Sequence, residues 1–399
     1  MKVIALIDPH SGGHHIAFMR FFVQVLIEKG YKVIVFHQNT EQDLLPWVKT
    51  RLGTVSELFV EDFDLQHSEP KFYGRFNSMI KGLNYWRQIS RLIKRKERQL
   101  ELKIDVVFFA WLDTYLVNYL HPLIVRWFFP YKWSGLYFHP RHMRLSKSED
   151  KPVGISGVDV VLTSKNCLGI AIHDRGIVEQ YKRRLLGKKI VVFPEIADGT
   201  PPKKDLALVQ RIKLKARDRS VTGIIGLSKQ QGLMLFKRLS EHPNLGDFFF
   251  AFIGLFNDRD MTQEEKREWQ IFVNSKPENC LFEFGRIEEG ADYNAVFCAL
   301  DFPFLVYQEF SSTSNRLTKA AIFEKPVIAT EKYCIGEDVK SYGLGITTSE
   351  VDVEICAKDL ISLKDSINNG KSGKAQFQAY AELNSIENLG PSFDEILCL

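Results

Sequence analysis

Several short stretches of this chain gather residue types that can do chemistry. Ser11-Gly12-Gly13-His14-His15 follows the first apolar run. Glycines there let the backbone turn tightly into a helix, whose N-terminus favours an anion or a sugar hydroxyl. His14 and His15 add imidazoles, the side chains best suited to proton transfer near neutrality. A plain glycine turn with histidines at a helix start is the competing reading. Further on, Gly135–His142 reads as a strand that delivers His139 to its carboxyl end, with Arg141, His142 and Arg144 behind it. Imidazole and guanidinium together suit an anionic or sugar ligand; a basic surface loop has the same composition. Val192–Asp198 is a strand stopped by Pro194, with Glu195 and Asp198 in the turn. They are placed either for acid–base work or simply to close a domain.

Two stretches in the second half are richer. Gly223–Gly232 runs from a strand into a glycine loop and an amphipathic helix, where Gly226, Ser228 and Lys229 could hold a diphosphate on amides and an ammonium. From Ser311 to Arg316 the residues are Ser311, Ser312, Thr313, Ser314, Asn315 and Arg316, followed by a helical face of Leu317, Ala320, Ala321 and Phe323. Four hydroxyls exceed what one helix cap needs, and with an amide and an arginine they make an anion site.

Other chemistries are not supported. No GK[ST] closes the Gly226 loop, and the first glycine loop is not GxGxxG. Strand two ends in His37-Gln38-Asn39 with no acidic residue, so a nicotinamide-binding fingerprint is absent. The six cysteines form no CxxC pair and no metal-ligand spacing, so no metal site is expected and the thiols read as reduced.

The elements that must position these residues alternate short apolar runs with longer helical patterns. The strand expectations are Val3–Ile7, Lys32–Phe36, Asp105–Phe109, Gly135–Phe138, Val158–Leu162 and Ile190–Phe193 in the first half. In the second they are Thr222–Ile225, Phe248–Ile253, Cys280–Phe284, Phe302–Val306 and Val327–Ala329. Many are apolar on both faces, as a parallel sheet covered by helices requires. The alternation occurs twice, and 399 residues suit two domains. The expected division is a first domain over 1–198, a hinge over 199–220, a second domain over 221–375, and a C-terminal helix over 376–399 that packs back on the first domain. Ligands of such sheets bind beyond the carboxyl ends of the strands.

The segment Ser311–Thr330, with Lys325-Pro326-Val327-Ile328-Ala329 and the continuation Gly336, Val339–Gly345, resembles the donor-holding helix and strand of GT-B glycosyltransferases, closest to the family-4-like enzymes. The resemblance implies two Rossmann-like α/β domains facing across a cleft and hexosyl transfer from a UDP- or GDP-sugar to a hydroxyl acceptor, without metal or resident cofactor. It puts an active-site histidine at His139 and an acceptor-side glycine loop at Gly12, Gly13, His14 and His15. It also departs from the family. The two glutamates common around this helix fall on Ser311 and Lys319, and the usual Arg and Lys of the donor loop fall on Gly226 and Gln231. A GT-B-fold binding or scaffold protein and a nucleotide-sugar epimerase are therefore alternatives.

Between Lys71 and Lys103, ten basic residues face only Glu97 and Glu101, and aromatic and aliphatic residues interleave. This reads either as a basic amphipathic helix for an anionic membrane surface and a lipid-linked glycan acceptor, or as a solvated face whose apolar side enters the core. A second aromatic–basic run spans Arg126–Trp133. Net charge of +4 makes no demand for nucleic acid, and no 18-residue apolar run exists. Met1–His10 reads as a strand, not a signal peptide, so a cytoplasmic location, peripheral to a membrane's inner face, is the expectation.

Overall fold

The structure is a computed structural model; it describes residues 1–10, 14–65, 75–118, 120–145, 157–369 and 376–397. These divide into two compact units, Met1–Pro194 with Ser385–Leu399, and Glu195–Asn384.

The strands of the first unit are β1 (Val3–Ile7), β2 (Lys32–His37), β3 (Leu58–Asp62), β4 (Val106–Phe109), β5 (Trp133–Gly135), β6 (Gly169–Ile172) and β7 (Lys189–Val192). Five of them pair in parallel in the order β3-β2-β1-β4-β5. Bridges from Trp133 to Cys167 and from Leu136 to Ala171 carry the order on to β6, which pairs with β7. Every residue of β1 and β4 is buried, because helices cover both faces. Those helices are α1 (His14–Glu28), α2 (Leu45–Leu52), α3 (Arg75–Leu100), α4 (Pro122–Phe128), α5 (Arg141–Leu145) and α6 (Val178–Arg184). On one face Trp86 of α3 meets Phe109, Phe129 and Trp133, each with ring centroids 5.1 Å away.

In the second unit the strands are β8 (Ser220–Ser228), β9 (Phe248–Asn257), β10 (Cys280–Phe284), β11 (Phe302–Leu305), β12 (Val327–Thr330) and β13 (Gly345–Thr348), in the order β10-β9-β8-β11-β12-β13. Its helices are α7 (Ala207–Ala216), α8 (Leu233–Ser240), α9 (Gln263–Ser275), α10 (Ala291–Cys298), α11 (Asn315–Ile322), α12 (Tyr333–Tyr342), α13 (Val353–Asn368) and α14 (Phe377–Leu383). Phe236 of α8 anchors one layer against Phe250, Phe252 and Phe304 at 4.7–5.4 Å. The last helix, α15 (Leu389–Leu397), belongs to the first unit. Its Phe393 stands edge-on to Phe22, Phe108 and Phe193 with centroids 5.0–5.3 Å apart. Truncating such a ring costs about 3–5 kcal/mol.

Some expectations need correction. Val158–Leu162 is no strand: Asp159–Thr163 forms a 3-10 helix, and the strand is Gly169–Ile172. So short an apolar run, interrupted by Asp159, does not distinguish the two, and Asp159 is drawn in by His142, whose Nε2 lies 2.7 Å from its Oδ2. β3 and β13 escaped notice because they are half-buried edge strands with mixed composition. Ordered strand ends at Gly135, although Tyr137 N still bonds to Ala171 O at 2.8 Å. The stretch 199–220 is not an open linker, since α7 buries Val209, Ile212 and Ala216 in the second unit's core. Its basic residues masked that three-residue apolar stripe. The C-terminal stretch divides at Asn384, with α14 on the second unit and α15 on the first.

Candidate functional site

In both sheets the strand order reverses beside the first strand of the unit, between β1 and β4 and between β8 and β11. Connections leave those two strands toward opposite faces, which opens a crevice at their carboxyl ends where ligands of such sheets bind. Each reversal point carries a cluster of polar side chains.

In the first unit the cluster grows from Asp8, one residue past β1 and 1% exposed. Its Oδ2 lies 2.8 Å from His15 Nδ1, and its Oδ1 accepts from the His10 N–H at 3.0 Å. His37, at the end of β2, places Nδ1 2.8 Å from the Asp8 carbonyl. The His15 ring lies between His10, at 5.1 Å, and Trp111, at 4.1 Å. Trp111 stacks on Phe138 at 3.8 Å and touches His139 at 5.4 Å. Asp113 fixes the loop that carries His139. Its two carboxylate oxygens accept from the Phe138 and His139 N–H groups at 2.8 Å, and His139 Nδ1 is 3.4 Å away. Two carboxylate–imidazole pairs thus flank one indole. An imidazole that donates through Nδ1 to a buried carboxylate keeps Nε2 free as a proton acceptor.

The structure therefore brings His15 and His139 together. Arg141 is exposed on α5, its backbone N–H donating to the His139 carbonyl at 2.8 Å; His142 pairs with Asp159, and Arg144 forks onto Asp174 with bonds of 2.7 and 2.6 Å. Ser11, Gly12 and Gly13 lie outside the described residues, and His14 opens α1. The sequence reading missed Asp8, Trp111 and Asp113. An acid at a strand end followed by histidine seven residues later was the available signal for Asp8; Trp111 and Asp113 needed the fold.

In the second unit the cluster centres on Arg316 in the first turn of α11. Its Nε lies 3.3 Å from Tyr293 Oη and its Nη1 3.2 Å from Tyr307 Oη. The Gln231 amide, in the orientation that satisfies its neighbours, donates to the Gly226 carbonyl and accepts from Arg316 Nη1 and Nη2 at 3.1 Å. Among the described residues no carboxylate pairs with this guanidinium. Burial works against its charge, and the two tyrosine hydroxyls more than offset that, so its pKa is raised. The floor beside it is bare backbone. Gly226 has φ 87°, which L side chains rarely adopt, and a Cβ there would lie 2.4 Å from the Gln231 amide and push it aside. Gly254 (φ 110°) faces it from β9, where a Cβ would fall 2.9 Å from Gly226 N. The β8–β9 register shifts between Ile225 and Leu227 at this point.

Other expected donor ligands have different duties. Lys229 is held by Glu265 at 2.7 Å, itself part of the capping box of α9. Ser314 is the N-cap residue of α11 yet makes no side-chain cap bond; its hydroxyl lies 3.1 Å from Tyr307 Oη. Thr313 donates to Glu195 Oε2, and Ser311 and Ser312 are buried. The hydroxyl run thus holds its own loop more than it offers a cap. Asn315 opens α11 and Ser228 ends β8 beside the site. Lys319, where the family resemblance leads one to expect glutamate, is 1% exposed. It donates to Asp198 O at 3.1 Å and to Asn294 Oδ1, lies 3.3 Å from Glu289 Oε2, and sits 4.7 Å from the Tyr293 ring centre. Asn294 Nδ2 in turn bonds the carbonyls of Asp198 and Thr200 at 3.2 and 2.7 Å. Among the described residues no group of three or more His, Cys, Asp or Glu is placed to hold a metal.

No family model matches the chain, and no curated protein matches it. Solved structures do match along the whole chain. Sucrose-phosphate synthase from Thermosynechococcus elongatus superposes with a TM-score of 0.66 at 14% identity, covering 98% of this chain and 97% of that one. HepE from Anabaena, in complex with UDP and glucose, gives 0.67 at 12% identity with coverages of 100% and 99%. A glycosyltransferase from Rickettsia africae gives 0.63 at 13% identity with coverages of 99% and 97%. The chain has the GT-B fold, with two Rossmann-like domains.

Proposed function

We propose that this protein transfers a sugar from a nucleoside-diphosphate donor to a hydroxyl acceptor. The observation that carries this reading is Arg316: a guanidinium held by Tyr293, Tyr307 and Gln231, beside a glycine floor at the β8/β11 reversal point. Such a cation, spared any acidic partner among the described residues, suits an anion with several oxygens. In this reading the C1–O bond to the donor breaks, its electron pair leaves with the diphosphate, and Arg316 stabilises that charge as it develops. The acceptor oxygen forms the new bond to C1. Its proton passes to His15 Nε2, and Asp8 steadies the resulting imidazolium. A glycan or lipid-linked sugar is the proposed acceptor class.

A UDP-sugar is the favoured donor, because HepE of the same fold binds UDP and glucose; a GDP-sugar is the alternative. Transfer without metal or resident cofactor is part of the proposal, and undiminished turnover in EDTA is the expected result. A thermal-shift screen with UDP, GDP, ADP and their sugars tests the donor site. Ligand at a hundred times its Kd adds about 2.7 kcal/mol of stability, so a shift seen with wild type and lost in Arg316→Ala supports the reading. No shift with any nucleotide refutes it. One observation favours a second reading. Ser311 and Lys319 stand where the resemblance implies two glutamates, and Lys319 is committed to structure. A binding protein without catalysis would shift with UDP-sugar yet release no UDP.

A further inference from the structure

The apolar side of α3 is spent on the core: Tyr85, Trp86, Ile89, Leu92 and Ile93 are all buried there. Of the two readings the sequence left open for this helix, the packing supports the solvated face with its apolar side in the core. The same packing creates a different surface. The short helix α4 is anchored beneath by buried Val125 and Phe129 and turns Leu123, Ile124 and Trp127 outward, 66%, 36% and 82% exposed. Positions 123, 124 and 127 share one helical face. Three large apolar side chains on seven residues are costly to leave in water and mark a contact surface.

Cations surround this wedge. Arg87, Arg91, Lys94 and Arg98 fall at spacings of four, three and four, which is one stripe of α3. The Arg87 guanidinium carbon stands 3.8 Å over the Phe128 ring, so the stripe starts against α4. It ends beside Lys103 and Lys132, which with Lys94 and Arg98 line a shallow cavity. Apart from the exposed Glu101, the acids nearby are already used. Glu97 accepts from Tyr131 Oη at 2.8 Å and from the Ile104 N–H at 2.9 Å, and Glu61 pairs with Arg95 and with Lys96. Asp105 accepts from the Val3 N–H at 2.8 Å. Among the described residues Arg91, Lys94, Arg98, Lys103, Arg126 and Lys132 have no acidic partner.

We infer that this face of the first unit docks on an anionic lipid bilayer, with Leu123, Ile124 and Trp127 entering the interface and the α3 stripe lying against the headgroups. Cations alone would suit any polyanion. Exposed leucine and isoleucine beside a tryptophan add nothing to phosphate recognition and fit the acyl boundary. No helix among the described residues is long and apolar enough to cross a membrane, so the contact is interfacial. The inference stands apart from the transfer reading and survives its failure.

Vesicle flotation of the full chain tests it. The probes are phosphatidylcholine vesicles with and without phosphatidylglycerol. Flotation is expected only with the anionic vesicles and should weaken with salt. Arg91→Gln with Arg98→Gln should lower vesicle affinity about fivefold per cation. Leu123→Ser with Trp127→Ser should lower it at least as far. Both pairs sit at exposed positions, so their thermal midpoints should match wild type. Absence of flotation at low salt overturns the inference. So does unchanged flotation of the Leu123/Trp127 variant, and so does binding to duplex DNA as tight as to vesicles.

Discussion

Asp8 Oδ2 lies 2.8 Å from His15 Nδ1, joining the end of β1 to the first turn of α1. A buried carboxylate in that position fixes the imidazole tautomer and supports a positive charge on the ring. His15→Ala should therefore reduce turnover by about 10²–10⁴-fold, the usual worth of a positioned base. Asp8→Asn should reproduce much of that loss by presenting the wrong tautomer. Both should leave UDP affinity near the wild-type value. UDP release from UDP-glucose in the presence of acceptor, set beside calorimetric binding of UDP, checks this. Equal losses in both measurements would assign the pair to donor binding or folding.

Arg316→Ala should weaken UDP binding about tenfold to a hundredfold, as expected for a charge-assisted bond of roughly 1.5–3 kcal/mol. Lys229→Ala should do far less, because Glu265 already holds that ammonium at 2.7 Å. Gly226→Ala should abolish binding, since its Cβ would displace Gln231 and Arg316 together. Titration calorimetry of the three variants separates these outcomes.

Lys319→Met should destabilise the second unit by about 1–3 kcal/mol by leaving the buried Asn294 Oδ1 without its donor. Lys319→Glu, which restores the residue implied by the family resemblance, should be worse. It would set a carboxylate beside Glu289, which now lies 3.3 Å from the lysine Nζ. Thermal unfolding resolved into its separate transitions reports the order.

Much of this was legible in the sequence, and the reasons are physical. Uninterrupted apolar runs such as Val3–Ile7 and Phe248–Ile253, alternating with helical patterns, fit covered parallel strands, so the doubly wound plan followed. Arg316 was marked by its place at a helix start after a strand. Asp8 drew no notice as a site residue, because its partner His15 lies seven residues on, in the next element. The hydroxyls of Ser311–Ser314 were read as part of an anion site, whereas Ser314 turns to Tyr307 and Thr313 to Glu195, contacts that only tertiary packing supplies. The cationic pattern of α3 was plain, but which side faced the core depended on neighbours that a one-dimensional pattern does not contain.

Stability should fall in alkali. Burial pushes the thiols of Cys167, Cys280 and Cys356 from an ordinary 9.0 up to about 12. Between those values the native state holds protons that the unfolded chain releases, so each thiol's contribution is intact below 9 and lost as pH climbs toward 12. The loss reaches about 1.4 kcal/mol per pH unit for each thiol. Urea midpoints at pH 8, 9 and 10 should decline, and replacing all three cysteines by alanine should flatten the decline.

The anchoring of Phe393 among Phe22, Phe108 and Phe193 bears on how the chain is made. A ribosome releases residues in order, and domains tend to form as their residues emerge. The second unit has all its strands once β13 is out. The first unit, begun earliest, waits with one layer of its aromatic core uncovered until α15 has been synthesised. Its last-made helix is thus a clasp. A stalled or nicked product that lacks it would present phenylalanine to chaperones and proteases, a quality check that operates on the unit synthesised first.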